Sequence, residues 1–291
     1  MIYQASHTCY LGNMPQTRTL LHRTDTLMVE RVVSHAAPIQ WSPSYQAVTP
    51  RMALPASGSA TEFRMAGQTV LLDGLTLLCL PVELPYQMRP CTVAVRASIV
   101  VSVQPQAERK PGPHALWVPG PPSLLQPDAY ILAPRAIVAL LRHWRMLAQR
   151  PAAFQRGQAT QALLRSVLKS AHRPPFQPGG PVAAVQRAQR FMVARVAAAD
   201  GLPWTLHDVA DAACCSVFHL SRQFRGHMGI GLHGYRQRLR LATALQRLED
   251  GERNLAALAH ELGYSSQSHL GEALRRNLGL TPAQLRRELS C

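Results

Sequence analysis

The sequence is poor in acidic residues and has no cysteine pattern that would bind a metal. It holds 16 Asp and Glu against 31 Lys and Arg in 291 residues, a formal net charge of +15. Its six cysteines show neither a Cys-x-x-Cys spacing nor a paired His spacing, so no zinc module is expected. The longest apolar runs, such as 75–82, are too short to cross a bilayer, and the first residues lack a signal-peptide pattern. We therefore expect a cytoplasmic protein with reduced thiols, no metal, no cofactor and no membrane contact.

The basic residues are spread unevenly along the chain. Residues 135–173 hold eight Lys and Arg and no Asp or Glu, whereas residues 1–134 hold nine Lys and Arg and seven Asp and Glu. A net charge of this size suggests a polyanionic partner. Arginine also covers solvated faces where no such partner exists. The charge alone therefore leaves open a non-specific nucleic-acid-binding or chromatin-like protein beside a sequence-specific one.

The most informative feature is a pattern of two short helices that occurs twice, at about 206–227 and 255–278. The copies match when Ala210 is placed on Ala259. Each has a small residue where the second helix would cross the first, then a tight turn, then a serine able to cap the next helix. A helix over 232–248, about 25 Å long, would join them. The repeat predicts two helix-turn-helix units that read successive major-groove segments of DNA.

In the first unit, Ser216 is expected to cap the second helix, whose N-terminal part enters the major groove in such units. Leu220 and Phe224 would face the core. The residues left outward, and so expected to contact bases, are Phe218, His219, Ser221 and Arg222. Arg222 is the best candidate, because a guanidinium can bond O6 and N7 of guanine together. Arg225, nearly one turn later, is expected to contact phosphate.

In the second unit, Ser265 is expected to be the corresponding N-cap. The groove-facing residues would be Gln267, Ser268, Gly271 and Glu272. Base contacts are expected from Gln267, which suits adenine, and from Ser268 and Glu272. Arg275 and Arg276 are expected to contact phosphate.

These units resemble the DNA-binding module of the AraC/XylS family of bacterial transcription regulators. The family's patterns occur in order, as Ser-x-x-x-Leu-Ser-Arg-x-Phe at 216–224, a Gly-Tyr-Arg-Leu-Ala linker signature at 229–244, Ala-x-x-x-Gly-Tyr at 259–264 and Gly-x-x-Pro-x-x-x-Arg at 279–286. The resemblance covers about 185–289. It implies double-stranded promoter DNA and RNA polymerase as partners, and activation of transcription.

The sequence departs from the family at several positions. Leu232 stands where proline usually begins the linker helix, and Cys214 replaces the usual turn glycine. Leu270 and Leu274 replace two phenylalanines, which should preserve the core. Glu272 stands where the family often has arginine, and a carboxylate there repels phosphate unless it accepts from cytosine N4. We therefore expect the second unit to discriminate between sequences less than the first.

The amino-terminal part is predicted to be rich in β-strands over 18–103, followed by an irregular loop over 104–122. Asp73-Gly74 lies between two apolar runs, which predicts a two-residue hairpin turn with both residues at positive φ. The order of these signals resembles the cupin-like sensor or dimerisation domains that precede this DNA-binding module. The expected fold class is therefore α+β, with a β-domain before an all-α domain.

Two amphipathic helices are predicted at about 134–149 and 158–170. Their apolar stripes could close the β-domain core or pair with the same helices of a second subunit, and we favour the homodimer. A Pro- and Gly-rich stretch over 174–181 predicts a linker. The expected domains are thus a sensor or dimerisation domain over 1–173 and a DNA-binding domain over 182–291.

Three uses of the β-domain compete: binding a small-molecule effector, dimerisation and enzymatic chemistry. An enzyme of the cupin type needs a closely spaced metal-binding set. The residues that could supply one are scattered, at His22, His35, Glu83 and His114, so no enzyme is expected. A pocket inside the barrel is plausible, but no residue set identifies an effector. The candidates to line it are Tyr45, Arg51, Tyr86 and Arg89.

Two adjacent cysteines lie at the turn of the first unit. Cys214 and Cys215 could act as a thiol switch, but adjacent cysteines bridge each other only with strain. We expect them to be small buried residues that fill the turn.

Overall fold

A computed structural model describes residues 6–11, 14–24, 27–35, 37–57, 60–93, 95–103, 128–149, 155–174, 182–198 and 200–289. The strands are β1 (Ser6–Leu11), β2 (Met14–Arg23), β3 (Leu27–Ser34), β4 (Tyr45–Gln46), β5 (Arg51–Ser57), β6 (Thr61–Met65), β7 (Gln68–Leu72), β8 (Thr76–Leu80), β9 (Pro85–Pro90), β10 (Arg96–Val103) and β11 (Asp128–Ile131). The helices are α1 (Pro134–Gln149), α2 (Gln155–Ser170), α3 (Val182–Ala198), α4 (Leu206–Ala212), α5 (Val217–Met228), α6 (Leu232–Glu249), α7 (Leu255–Glu261), α8 (Gln267–Leu278) and α9 (Pro282–Leu289). Strands therefore precede helices along the chain, and the α+β class is confirmed.

The strands form two antiparallel sheets. The larger has the order β1-β2-β3-β10-β5-β8-β11, and the smaller has the order β4-β9-β6-β7. Strand β8 is buried along its whole length. Leu78 and Leu80 pack toward the smaller sheet with Phe63, whereas Leu77 and Cys79 belong to a second core shared with the helices. The larger sheet therefore has the smaller sheet on one face and helices on the other.

The predicted hairpin at Asp73-Gly74 is wrong. Strand β7 pairs with β6, whereas β8 pairs with β5 and β11, so this turn carries the chain from one sheet to the other. The Asp73 carboxylate closes the turn by accepting from the Leu75 amide at 2.9 Å and the Thr76 hydroxyl at 2.8 Å. The two-residue hairpin lies at Ala66 and Gly67, with φ of 46° and 73°. An Asp-Gly pair is equally suited to a turn between sheets, because its carboxylate can cap the backbone that follows.

Helix α1 has the bounds of the predicted helix, and α2 begins at Gln155, before the predicted residue 158. The apolar stripe of α1, which includes Ile137, Leu141 and Trp144, is buried against β2, α2, α6, α8 and α9 of the same chain. The preference for pairing this stripe with a second subunit is therefore wrong, since the stripe is already covered within one chain. Most of the predicted 174–181 linker and the whole 104–122 loop lie outside the described residues.

The two halves of the chain share one core. Gln186 of α3 donates to the Thr69 carbonyl of β7, and a Cβ added at Gly74 would lie 3.3 Å from Ala242 of α6. At the other end, Arg135 Nε of α1 donates to the Asn277 carbonyl of α8 at 3.0 Å. The β-strands therefore contact α3 and the joining helix α6, and α1 contacts α8 of the second predicted unit. Within the described part of the chain, no helix is long and apolar enough to span a membrane.

Candidate nucleic-acid interface

The first unit consists of α4 and α5. Thr205 caps α4 in a capping box with Asp208, and Ser216 caps α5 by accepting from the His219 amide at 3.3 Å. Leu220 and Phe224 are fully buried. Two short helices with capped N-termini and an apolar contact between them are the minimal helix-turn-helix structure.

The second unit consists of α7 and α8, and its N-cap corrects the prediction at Ser265. Asn254 caps α7, and Ser266 caps α8 by accepting from the His269 amide at 3.1 Å. Ser265 instead forms a hydrogen bond through its hydroxyl with Nδ1 of His269 at 3.0 Å. The capping serine is therefore one residue later than the repeat predicted.

A longer turn in the second unit explains this difference. The two units match with a shift of 49 residues through the turn, where the Cys215 and Tyr264 amides donate to the Ala210 and Ala259 carbonyls. From the N-cap onward the shift is 50. The pairs with that shift are Ser216 and Ser266, Leu220 and Leu270, Phe224 and Leu274, and Gly229 and Gly279. A single shift of 49 therefore placed the second serine one residue too early.

The first recognition helix, α5, presents the predicted residues outward. Phe218, His219, Arg222 and Arg225 are exposed, and Ser221 is half-buried. The side chain of Phe218 is 81% exposed. These residues lie on the side of α5 opposite Leu220, which is where a DNA groove would have access.

The second recognition helix, α8, exposes Gln267, Ser268, Glu272, Arg275 and Arg276, while Gly271 is half-buried. With the shift of 50, Glu272 is the counterpart of Arg222, and Ser268 is the counterpart of Phe218. The second unit therefore carries an anionic side chain and a small polar side chain at the two positions where the first unit carries a cation and an aromatic ring.

One continuous helix supports both units. Helix α6 has 18 residues and so spans about 27 Å at ~1.5 Å per residue. Near its start, the ring of Tyr235 meets the edge of Phe224 from α5 at a centroid distance of 5.2 Å. Near its end, Arg247 pairs with Glu261 of α7 at 3.0 Å. The spacing of the units therefore depends on a single rigid element.

Three arginines other than the predicted base and phosphate contacts pack within these units. Arg187 of α3 donates through Nε and Nη2 to the Ala213 carbonyl at the end of α4, at 3.1 and 2.6 Å. Arg236 lies over the ring of Trp204 at 4.0 Å. Arg240 is buried, and its burial lowers the pKa of the guanidinium to about 10. The linker signature contains Arg240, but only the fold shows that its role is packing.

A cavity lies between the two sheets of the β-domain. Its lining includes three arginines, Arg18, Arg51 and Arg96, among aromatic and aliphatic side chains. Arg18 is paired with Glu30 at 2.7 Å, but Nε of Arg51 is buried without a hydrogen-bond partner. Among the described lining residues none is Asp or Glu. The cavity is therefore positively charged and partly apolar.

The predicted pocket candidates divide between this cavity and its surroundings. Arg51 and Tyr86 line it, whereas Tyr45 and Arg89 do not. Arg89 instead pairs with Glu62. Of the four scattered residues considered for a metal, His114 lies outside the described residues. The described residues contain no cluster of three or more His, Cys, Asp or Glu able to hold a metal.

The strands that line the cavity also contact the DNA-binding helices. Thr61 and Phe63 of β6 point into the cavity, while Glu62 between them pairs with both Arg89 and Arg190 of α3. Alternation along a strand places these neighbours on opposite faces. The cavity wall is therefore one residue away from an ion pair with α3.

The two cysteines of the first turn differ from expectation. Cys214 is exposed and Cys215 is half-buried, so the prediction that both are buried is wrong. Cys214 has a φ of 56°, in the left-handed region that its counterpart Gly263 also occupies at 72°. The turn geometry requires this conformation and leaves the first thiol pointing to solvent.

Comparison with known proteins finds proteins similar to part of this chain. A model of the helix-turn-helix domain matches residues 209–288. A putative AraC-like transcription regulator of Streptomyces lividans is 38% identical over 84 residues, which are 29% of this chain and 28% of that protein. The transcriptional activator RhaR of Escherichia coli is 27% identical over 95 residues, 33% of this chain and 34% of that protein. The matches thus span about a third or less of either relative.

Among solved structures, the chain is similar to the C-terminal domain of AraT, a response regulator from Geobacillus stearothermophilus. The identity is 26%, the TM-score is 0.33, and the match covers 36% of this chain and 84% of that domain. Residues 209–288 therefore match a helix-turn-helix domain, and the chain is similar to AraC-like transcription regulators.

Proposed function

We propose that this protein is a sequence-specific regulator of transcription that binds double-stranded DNA through both helix-turn-helix units. The observation that carries the proposal is the pair of exposed recognition faces on α5 and α8, held at opposite ends of α6. Two recognition helices on one rigid support can enter successive major-groove segments on one side of a duplex.

The two faces have unequal roles in this proposal. Arg222 bonds guanine in the major groove, and Arg225 contacts phosphate. In the second unit Gln267 and Ser268 contact bases, while Arg275 and Arg276 contact phosphate. Glu272 is compatible with DNA binding only where its carboxylate accepts a hydrogen bond from N4 of a cytosine. The first unit therefore supplies most of the discrimination, and the second mainly adds affinity.

The β-domain binds a small-molecule effector in the cavity between its sheets. Nε of Arg51 is buried there without a hydrogen-bond partner among the described residues, and none of the described lining residues is Asp or Glu. A buried cation without a counter-ion is costly, so the cavity favours a small organic anion with an apolar body. Arg51→Met should abolish the rise in melting temperature that such an anion causes in the wild-type protein.

Activation is the direction of regulation that we propose, through contact of the DNA-bound protein with RNA polymerase. It is supported by the similarity of 95 residues of this chain to the activator RhaR. A reporter assay on a promoter that contains the selected site tests the direction. A fall in transcription on expression of the protein would show repression instead.

Selection from a pool of random duplexes tests the proposed function. The full chain should enrich one site of about 15–20 base pairs, as two recognition helices one DNA turn apart require. A non-specific, charge-driven protein would enrich no site and would bind all duplexes with a steep salt dependence. Failure to enrich any site at moderate salt would overturn the proposal.

A further inference from the structure

The side chain of Phe218 lies in solvent at the start of the first recognition helix. It is the second residue of α5, and 81% of its surface is exposed, more than for any other large hydrophobic residue in the described part of the chain. Exposure of a large aromatic side chain is unfavourable in water. Burial within the folded chain therefore does not account for a phenylalanine at this position.

The second unit shows that the fold does not require an aromatic residue at this position. The counterpart of Phe218 is Ser268, which is also exposed on the second residue of its helix. Both helices are capped in the same way by a serine, and both bury the leucine two residues later, at 220 and 270. The aromatic ring is therefore an addition to the first unit that packing does not explain.

The position of the ring identifies the group that it meets. Phe218 precedes Arg222 by about one turn, so both side chains lie on the face of α5 that is proposed to enter the major groove. The edges of the base pairs in that groove carry polar donors and acceptors, and the C5-methyl group of thymine is the largest apolar group among them. A phenylalanine cannot bond the polar edges, but it can bury the methyl group.

We infer that Phe218 is a specificity-determining residue that recognises the C5-methyl group of a pyrimidine in the target site. The inference rests on the proposed DNA-binding function and adds the base that the first unit selects. Thymine is the ordinary source of this methyl group. A 5-methylcytosine at the same position presents the same group, so cytosine methylation would raise the affinity of a site that carries cytosine there.

Base analogues test the inference on the full chain and its selected site. Each thymine is replaced in turn by deoxyuridine, which lacks only the methyl group. For the wild-type protein, one such replacement should weaken binding by about three- to fivefold, the effect of burying one methyl group. Phe218→Ser, which copies the second unit, should bind the thymine and deoxyuridine sites equally, whereas Phe218→Leu should retain part of the difference.

A second arm places cytosine or 5-methylcytosine at the responsive position. The wild-type protein should bind the methylated duplex more tightly, and Phe218→Ser should not distinguish the two. Because Phe218 is exposed, the variants should have the melting temperature of the wild type.

Three outcomes would overturn the inference. In the first, the wild-type protein tolerates deoxyuridine at every position. In the second, Phe218→Ser retains the full loss, so that another residue contacts the methyl group. In the third, Phe218→Ser binds every duplex normally but fails to activate the promoter, which would place the ring against a protein such as RNA polymerase. If no site is selected at all, the proposed function fails instead.

Discussion

The hydroxyl of Tyr235 on α6 donates a hydrogen bond to the buried carboxylate of Asp73 in the turn between β7 and β8. Gln189 of α3 donates to the same hydroxyl at 3.2 Å. Asp73 is fully buried, and this burial raises its pKa. These three residues join the β-domain to the helix that carries both DNA-binding units. The same hydrogen bonds therefore contribute to the stability of the fold and to the orientation of the two halves.

Tyr235→Phe should lower the free energy of unfolding by about 1–3 kcal/mol, because the variant leaves the buried Asp73 carboxyl without one of its donors. Urea unfolding monitored by circular dichroism measures this loss. Tyr264→Phe is the matched control, since the Tyr264 hydroxyl is buried without a partner among the described residues. Its removal should change stability little. Equal losses in the two variants would show that the hydrogen bond to Asp73 contributes nothing specific.

Arg222→Ala and Arg225→Ala should weaken DNA binding in different ways. Loss of a guanine contact should cost about 1–3 kcal/mol on the selected site and relax the preference at one base pair. Loss of a phosphate contact should weaken binding to all duplexes alike and reduce the salt slope by about 1. Binding titrations on matched and mismatched duplexes at several salt concentrations separate the two. A uniform loss in Arg222→Ala would contradict its role as a base contact.

Cys214→Gly and Gly263→Ala should have opposite effects on stability at equivalent positions of the two turns. Cys214 is exposed and has a φ of 56°, so glycine should gain a few tenths to about 1 kcal/mol by relieving the left-handed conformation. At Gly263, φ is 72° and an added Cβ would lie 2.5 Å from Nη2 of the buried Arg240. Alanine there should cost on the order of 1–3 kcal/mol. Thermal unfolding of both variants measures the two stability changes. A stabilising effect of Gly263→Ala would contradict this description of the turn.

Glu249 at the end of α6 should make stability fall as the pH rises from about 4.5 to about 7. Burial, helped by the neighbouring Asp250, raises the pKa of Glu249 to about 7. The folded state then binds the proton more tightly than the unfolded state, so the stabilisation is complete below the unfolded pKa of ~4.3 and is lost as the group ionises. Glu249→Gln should remove this loss, which is about 3 kcal/mol for a shift of this size. Urea denaturation curves of both proteins, measured across this pH range, check the predicted loss of stability. An unchanged pH profile in the variant would show that Glu249 ionises freely.

Local patterns in the sequence were sufficient to predict the DNA-binding module. Capping residues, apolar spacing and the turn are properties of neighbouring residues, so the helices of both units and the joining helix could be placed. Ser265 shows the limit of this reasoning. A one-residue insertion in a turn leaves the helices intact and shifts only the residue that caps the second one.

Contacts between distant parts of the chain could not be predicted. Asp73 and Tyr235 are separated by 162 residues, and no local signal connects them. The same holds for the stripe of α1, because an apolar helix face shows that burial is needed but not which surface supplies it. The arginine-lined cavity likewise forms only where strands from two sheets meet.

A dimethyl sulphate footprint of the full chain on its selected site tests the central claim most directly, because this reagent modifies guanine N7 in the major groove. We expect two clusters of protected guanines about 10 base pairs apart on one side of the duplex. The cluster at the first unit should be lost in Arg222→Ala, while the other persists. Protection spread evenly along the duplex, or confined to one cluster in the wild-type complex, would contradict binding by two helix-turn-helix units.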